Sequence, residues 1–347
     1  MTRWASDPDE AADELIRRSL ESIDLEGRVL LGGPSGTLPA LLAGRGIGCD
    51  VWTRRLVAGG TASPWPPQGP FDVALLRLPR AKAEQEMAAH ACLGTLVPGG
   101  QLIVYGGNDE GVRSFAGTLG RLCGSIDTLA ARGHGRVVRV RRPQDASRLR
   151  TSLAAWRSVA PLQIGGTTRG WVSYPGVFAA DRIDEGTALL VGALPQLAAG
   201  ARVLDCGCGS GVIGAAALAL QAAIALDLID NDTVALEAAR ENVPGARLVL
   251  GRSLAHAGPH RYDAILSNPP LHKGFAEDHA ELEQLIGDAP GRLKAGGILQ
   301  LVVQRRVPLD RLLARAGFGG VSVPAENGRY RVWRATCRDP DPARAAA

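Results

Sequence analysis

The sequence predicts an α/β fold with two tandem Rossmann-like domains, each a mostly parallel β-sheet flanked by helices. Both halves of the 347-residue chain alternate short apolar strands with longer helical segments rich in Ala and Leu, which is the pattern of a parallel sheet covered by helices. Three segments of the first half recur in the second half, in the same order and at similar spacing: 27–36 as 201–211, 71–79 as 262–270, and 96–102 as 293–299. The repetition indicates a duplicated domain, with a short linking helix predicted over 149–158.

The composition is that of a soluble, well-packed protein. Hydrophobic residues make up 46% of the chain and charged residues 21%, and the formal net charge of +4 permits an anionic partner without requiring one. The six cysteines include one Cys-x-Cys pair but no Cys-x-x-Cys spacing, so we expect free thiols and no metal site. The N-terminus lacks a signal-peptide pattern, and no apolar run approaches the roughly 20 residues of a membrane span. We expect a cytoplasmic protein without membrane contacts, and a monomer.

The two predicted domains differ at the positions where chemistry would take place. The first lacks an acidic residue in its Gly-rich turn, and it has Arg77-Leu78-Pro79 where the second has Asn268-Pro269-Pro270. Residues 1–155 are therefore predicted to form a degenerate copy, and residues 156–338 the active domain. A disordered tail is predicted over 339–347.

A Gly-rich turn in the second domain has the form of a nucleotide-binding loop. A strand ends at Asp205, the turn contains Gly207, Gly209 and Gly211, and an Ala-rich helix is predicted over 212–221. Glycines let a ligand approach the backbone closely, although a lone Gly-x-Gly-x-x-Gly is a weak signal. Asp205 indicates which kind of ligand the turn would bind. A carboxylate repels a pyrophosphate and attracts an ammonium, such as the α-amino group of S-adenosylmethionine.

A second acidic position follows the glycines. The predicted strand 223–229 leads to Asp230, about twenty residues past the glycines, where an acid binds ribose hydroxyls in this architecture. Asp232 is the competing candidate, but its place before the predicted helix 233–242 favours a helix cap. Asp227 lies within the strand, so we expect a structural role for it.

Asn268-Pro269-Pro270 directly follows the predicted strand 262–267. Neither proline donates a sheet hydrogen bond, so the motif is a poor way to continue a strand. The Asn268 side-chain oxygen and the Pro269 carbonyl are suited to accept both N–H groups of an exocyclic amine and to direct its lone pair at an electrophile. Both hydrogen bonds would strengthen as positive charge develops on nitrogen. A rigid turn is the alternative for the motif taken alone; its place after the Gly-rich turn and the second acid favours catalysis.

With these residues assembled, the chain resembles the bacterial ribosomal RNA guanine-N2 methyltransferases of the RsmC and RlmG type over nearly its whole length. The segments that carry the resemblance are Gly111–Ser114 in the first half and, in the second, Tyr174–Phe178, Asp184–Thr187, Asp205–Gly211, Asp230, Asn268–Gly274 and Gly328–Ala335. The resemblance implies two tandem class I methyltransferase domains, the first degenerate. It also implies S-adenosylmethionine-dependent methylation of the N2 amine of a guanosine in ribosomal RNA, in the small subunit.

The resemblance assigns roles to individual residues. Cofactor contacts are expected at Asp205, Gly207, Gly209 and Asp230, with Gly211 and Ser253 as further candidates and Phe178, Asp184 and Gly186 closing over the cofactor. The catalytic residues are expected to be Asn268, Pro269 and Pro270, and the substrate contacts Leu271 and His272. Ser253 is equally explained as an ordinary loop serine, and His272 as a surface histidine.

Leu271 departs from the family pattern, in which the residue after the prolines is usually aromatic and stacks on the target base. Such stacking is worth on the order of 1 to 3 kcal/mol per base, whereas leucine offers apolar packing alone. Either another residue supplies the stacking or the substrate differs. The alternatives are therefore a methyltransferase acting on a protein glutamine or a small-molecule amine, and an RNA-binding pseudoenzyme.

The expected partner is ribosomal RNA or the small ribosomal subunit. The first domain is expected to orient RNA, as its basic segment 132–142 suggests, or to stabilise the second domain. Five further cations are candidates for phosphate contacts near the site, each also explained as a solvated charge: Lys273, Arg305, Arg306, Arg329 and Arg331.

Overall fold

A computed structural model describes residues 8–33, 36–132, 134–179, 182–269 and 276–338. The chain forms two compact units, Met1–Arg157 and Ser158–Ala347; the sequence predicts the boundary near residue 155. The tail predicted over 339–347 lies outside the described residues. Each unit is an α/β fold, as predicted.

The first unit is built on a mixed sheet. Within the described residues its strands lie in the order β2-β1-β3-β4-β6-β5. Strands β1 to β4 are parallel, and β6 is antiparallel to both of its neighbours, β4 and β5. The elements are α1 (Pro8–Ser19), β1 (Val29–Gly32), α2 (Leu38–Gly44), β2 (Cys49–Trp52), β3 (Phe71–Arg77), α3 (Lys82–Thr95), β4 (Leu96–Gly107), α4 (Val112–Cys123), β5 (Asp127–Arg132) and β6 (Gly135–Arg141). Two 3₁₀ turns cover Leu20–Ser22 and Leu153–Trp156.

Arg77 ends β3 at the position that corresponds to Asn268 in the second unit. Its side chain is 2% exposed and donates two hydrogen bonds to Glu110, from Nη1 at 2.7 Å and from Nη2 at 2.6 Å. Glu110 also accepts a hydrogen bond from the backbone N–H of Gly107. A buried ion pair therefore occupies the place where the second unit carries a carboxamide.

The second unit contains a larger mixed sheet and a separate hairpin. Within the described residues the sheet order is β11-β10-β9-β12-β13-β15-β14, with the first five strands parallel, and β7 pairs with β8 alone. The strands are β7 (Ser158–Ile164), β8 (Thr167–Ser173), β9 (Arg202–Cys206), β10 (Ala225–Asp230), β11 (Arg247–Leu250), β12 (Tyr262–Ser267), β13 (Leu293–Gln304), β14 (Phe318–Glu326) and β15 (Tyr330–Cys337). The helices are α5 (Glu185–Gly192), α6 (Val212–Leu220), α7 (Thr233–Asn242), α8 (Ala276–Arg292) and α9 (Asp310–Arg315), with a 3₁₀ turn at Leu254–Ala257.

The register of the parallel strands brings the candidate residues to one edge of this sheet. Leu266 of β12 pairs with Asp205 of β9, and Leu228 of β10 also pairs with Asp205. The strand order reverses between β9 and β12, because β10 follows β9 on one side and β12 lies on the other. In open α/β sheets, ligands bind at the carboxyl ends of the strands at such a reversal.

The prediction of a linking helix over 149–158 is wrong. Only a 3₁₀ turn forms, at Leu153–Trp156, and Ser158 already pairs with Ser173 in the β7–β8 hairpin. From Ser158 onward the backbone N–H and C=O groups form hydrogen bonds within the hairpin, so they are not available to continue a helix. Trp156 is 7% exposed and packs edge-on against His90, with the ring centroids 5.2 Å apart, so burial of one aromatic ring fixes the segment.

Across the described parts of the chain, no helix combines the length and the apolar character needed to cross a membrane. The same residues contain no group of three or more His, Cys, Asp or Glu side chains placed to hold a metal ion.

Candidate active site

The side chain of Asn268 is held in one orientation by the start of helix α5. Its Nδ2 donates to Thr187 Oγ1 at 2.9 Å and to Asp184 Oδ2 at 3.3 Å. These two acceptors use both N–H bonds of the carboxamide, so Oδ1 is left as the acceptor that a ligand can reach. The half-buried Asn268 directly follows the last residue of β12.

Asp184 is fixed in turn because it is the N-cap of α5. Its Oδ1 accepts the backbone N–H of Gly186 at 3.0 Å, and both its oxygens lie 3.3 Å from the N–H of Thr187. The positive end of the helix dipole also stabilises a negatively charged aspartate at the N-cap. The capping bonds thus fix the orientation of the Asp184 carboxylate. Asp184 and Thr187 together then fix the orientation of the Asn268 amide.

Gly186 has a packing reason to be glycine. A Cβ at this position would lie 3.2 Å from a ring carbon of Tyr330 and 3.2 Å from Asp184 Oδ1. The structure therefore gives Asp184 and Gly186 roles in building the site, and their predicted contact with a cofactor stays a prediction.

Sequence reasoning did not single out Thr187. It lies three residues after the capping Asp184, a spacing that marks the start of a helix, but that signal does not reveal a partner 81 residues away.

Ser267 ties the end of β12 to the end of β9. Its buried hydroxyl donates to the carbonyl oxygen of Cys206 at 2.6 Å. Pro269 is buried beside it. Pro270, Leu271 and His272 lie outside the described residues, so their expected roles stay predictions.

The Gly-rich turn faces open space at two of its three glycines. Gly207 (φ +72°) and Gly209 (φ +53°) have left-handed backbones, and a Cβ added to either would meet no atom within 4 Å. Gly211 (φ +91°) is different, because its added Cβ would lie 2.7 Å from Cγ2 of Val243. Gly207 and Gly209 therefore leave room for a ligand, whereas Gly211 permits close packing against the end of α7.

Asp205 is fully buried beneath this turn. Its Oδ2 accepts the backbone N–H of Gly214 at 2.9 Å, and its Oδ1 has no hydrogen-bond partner among the described residues. Burial raises the pKa of the Asp205 carboxyl to about 7, with a further contribution from the charge of Asp230. A cation or donor that reached Oδ1 would compensate the buried charge.

Asp230 is the last residue of β10, as its predicted role requires. Its Oδ2 accepts the N–H of Gly209 at 2.8 Å and its Oδ1 accepts the N–H of Asp232 at 2.9 Å. These bonds orient the carboxylate at the carboxyl end of β10.

The predicted structural roles of two other aspartates are confirmed. Asp232 is the N-cap of α7, with Oδ1 2.9 Å from the N–H of Val234. Asp227 is 2% exposed and accepts hydrogen bonds from Arg247 Nη2 at 2.8 Å and from Tyr262 Oη at 2.7 Å. Both carboxylates therefore form hydrogen bonds within the fold.

Two expected cofactor contacts have less structural support. Ser253 begins the 3₁₀ turn after β11, and its Oγ lies 3.4 Å from Nδ1 of His256. Phe178, in the segment before α5, is 59% exposed. Both stay predictions, and the exposed ring of Phe178 is an apolar surface without cover in the described structure.

Two family models cover most of the chain. Residues 170–334 match the family described as methyltransferase small domain, and residues 59–147 match methyltransferase small domain N-terminal. The chain belongs to the small-domain methyltransferase family. These matches, together with the relatives and the solved structure described next, confirm the predicted family and fold class.

Two curated relatives of this small-domain methyltransferase carry the same name. Ribosomal RNA small subunit methyltransferase C of Shewanella pealeana is 33% identical over 270 residues, 76% of each chain. The protein of the same name from Psychromonas ingrahamii is 30% identical over 265 residues, 76% of this chain and 75% of its own.

One solved structure resembles the methyltransferase over both units. It is the 16S rRNA N2 guanosine 1207 methyltransferase (RsmC) of T. thermophilus in complex with AdoMet and guanosine, 25% identical, with a TM-score of 0.81 over 97% of this chain and 93% of that one.

Proposed function

We propose that this protein transfers a methyl group from S-adenosylmethionine to the exocyclic N2 amine of a guanosine in 16S ribosomal RNA. The observation that carries the proposal is the orientation of Asn268, whose amide N–H groups bind Asp184 and Thr187 and whose oxygen is left to accept. The T. thermophilus neighbour acts on N2 of guanosine 1207 of 16S rRNA, and the curated relatives are named for the small-subunit RNA.

The residues of the Gly-rich turn fit S-adenosylmethionine. Open space lies over Gly207 and Gly209, and the buried Oδ1 of Asp205 lacks a partner among the described residues, which suits a donor from the methionine ammonium, directly or through water. Asp230, oriented at the carboxyl end of β10, would bind the ribose hydroxyls. When bound, the cofactor supplies an electrophilic methyl group on a sulfonium.

Asn268 has the central role in the transfer. The guanine N2 lone pair is delocalised into the ring and is weakly nucleophilic. Hydrogen bonds from its two N–H groups to Asn268 Oδ1 and to the carbonyl of Pro269 favour a more tetrahedral nitrogen. As the N–C bond forms and the S–C bond breaks, positive charge grows on nitrogen and both hydrogen bonds strengthen. The extra proton then leaves to solvent, so no strong general base is required.

The target guanine has to leave any base pair before it reaches Asn268, because N2 is otherwise inaccessible to a pocket. A flexible or single-stranded stretch of RNA meets this requirement at the lowest cost. Naked 16S RNA and assembled subunits differ in this respect, so both belong in the test.

The test is incubation with S-adenosylmethionine labelled in its methyl group, using naked 16S RNA, small subunits and total protein from cells that lack the activity. We expect label in RNA, recovered as N2-methylguanosine after digestion, and none with Asn268→Ala. Label in protein and none in RNA would reject the proposal in favour of glutamine methylation. Absence of both label and cofactor binding would favour the pseudoenzyme.

A further inference from the structure

An open pocket of about 520 Å³ lies at the carboxyl end of β13, the strand that pairs with β12. It is lined by Gln304, Arg305, Arg306, Gly328, Arg329 and Tyr330, and we call it the arginine pocket. Its volume lies within the range of sites that hold small ligands, about 300 to 1,000 Å³.

The sheet register places this pocket at the same edge as the catalytic motif. Ser267 of β12 pairs with Leu301 of β13, and Gln304 of β13 pairs with Tyr330 of β15. The pocket therefore begins three residues beyond the partner of Ser267. Its walls are at the ends of β13, which adjoins β12, and of β15, which lies one strand further away. The backbone N–H of Arg305 donates to the carbonyl of Arg329 at 2.8 Å, which fixes the two walls together.

The pocket and Asn268 also share the start of helix α5. Arg329 Nη1 lies 3.1 Å from Glu185 Oε2, and Glu185 follows Asp184, the residue that holds Asn268. The ring of Tyr330 packs against Gly186 of the same turn. A nucleotide strand with one base at Asn268 would therefore have the pocket at the same edge of the sheet.

The charges of the pocket are available to an anion. Arg306 is exposed and has no ionic or hydrogen-bond partner among the described residues. The side chains of Arg305 and Arg329 are 51% and 74% exposed, and their glutamate partners lie 3.6 Å and 3.1 Å away. Exposed ion pairs contribute about 0 to 1 kcal/mol, so a phosphate could replace either glutamate at little cost.

The basic segment of the first unit is less available. Arg139 Nη2 lies 2.8 Å from Asp127, Arg141 Nη1 donates to the carbonyl of Gly99, and Arg142 Nη1 donates to the carbonyl of Leu96. These contacts stabilise the unit itself. The stronger candidate for a phosphate surface is therefore the arginine pocket.

We infer that the arginine pocket binds the RNA backbone next to the target guanosine, with Arg305 and Arg306 in contact with phosphates. This inference rests on the proposed function, because it places the strand that carries the methylated base. It assigns the pocket to substrate positioning at the edge of the site, separate from the amine-holding role of Asn268.

The test compares two double variants with the same change in charge. Arg305→Gln/Arg306→Gln alters the pocket, and Arg240→Gln/Arg315→Gln alters exposed arginines near the C-terminal ends of α7 and α9, helices that run back toward the opposite edge of the sheet. Binding of a 16S RNA fragment is measured against salt concentration, together with cofactor affinity and thermal stability. Because RNA binding is measured without methyl transfer, the pocket is judged separately from the reaction.

We expect the pocket variant to bind RNA about tenfold more weakly and to lower the slope of log affinity against log salt by about 1.4, which is the loss of two phosphate contacts on a single strand. Cofactor affinity should stay at the wild-type value. An equal change in both double variants, or no change in either, overturns the inference. If the double variant is unstable, Arg306→Gln alone decides, with about half the change in slope expected. A wild-type protein that binds RNA through the pocket but leaves it unlabelled would overturn the proposed function instead.

Discussion

Thr187 Oγ1 lies 2.9 Å from Asn268 Nδ2 and accepts a hydrogen bond from it. Rotation of the carboxamide by half a turn would place its oxygen against Asp184 Oδ2, an acceptor, whereas the Thr187 hydroxyl can either accept or donate. Asp184 therefore decides which atom of Asn268 faces a substrate, and the Thr187 contact holds that orientation. Thr187 is thus a positioning residue, since it acts through the carboxamide that it holds.

Thr187→Val removes the acceptor at nearly constant shape. Loss of one hydrogen bond is worth about 1 kcal/mol, so we expect kcat to fall by about fivefold to tenfold, with the KM for RNA and the affinity for the cofactor unchanged. Thr187→Ser keeps the hydroxyl and should restore most of kcat. Wild-type kcat in the Val variant would show that Asp184 alone orients Asn268.

Asn268→Ala removes the proposed acceptor for the amine. Because the hydrogen bond strengthens as charge develops on nitrogen, the single-turnover rate should fall by about 10²-fold or more. Calorimetry should give nearly unchanged cofactor affinity, and thermal unfolding should show a folded protein. A fully active variant would refute the role given to Asn268.

The burial of Asp205 leads us to expect that the stability of the protein depends on pH. Burial raises the pKa of this carboxyl to about 7, above the unfolded value of about 3.9. Its contribution to stability is therefore complete below about pH 4 and is lost as the pH rises through about 7. The melting temperature of the cofactor-free protein should decline over this window, and Asp205→Asn should remove that part of the decline. Asp310→Asn, an exposed change at the start of α9, is the matched control.

Cofactor binding extends the same prediction. A donor at Asp205 Oδ1 would favour the ionised carboxylate, so added S-adenosylmethionine should raise the melting temperature more at about pH 8 than at about pH 6. An equal rise at both pH values would contradict the proposed contact.

Glu110→Gln tests the buried ion pair of the first unit. Arg77 would keep its charge with 2% exposure and lose its ionic partner, which costs about 3 to 5 kcal/mol when one member of a buried pair is removed. Urea unfolding of the full chain should show this loss, and Glu21→Gln, at an exposed position, should not. Unchanged stability would mean that the pair contributes no net stabilisation.

Several elements could be predicted from local sequence because their signals are local. The strand 262–267 and the helix 233–242 have the predicted bounds. Asp232 was predictable as a cap because a capping aspartate bonds the N–H groups two and three residues later. The prediction of the linking helix failed because its outcome depended on residues distant in sequence. Trp156 packs against His90, and Ser158 pairs with Ser173.

The sequence by itself determined the duplicated α/β fold, the Gly-rich turn with Asp205 and Asp230, and the Asn-Pro-Pro motif after its strand, because residue spacing along the chain carries those patterns. Only the tertiary structure decided which way the carboxamide of Asn268 points and that Arg77 and Glu110 occupy the matching place in the first unit. It also decided that three arginines share a pocket at the carboxyl end of β13. These relationships join residues on different strands and helices, and hydrogen bonding and burial between such elements leave no periodic signal in the sequence.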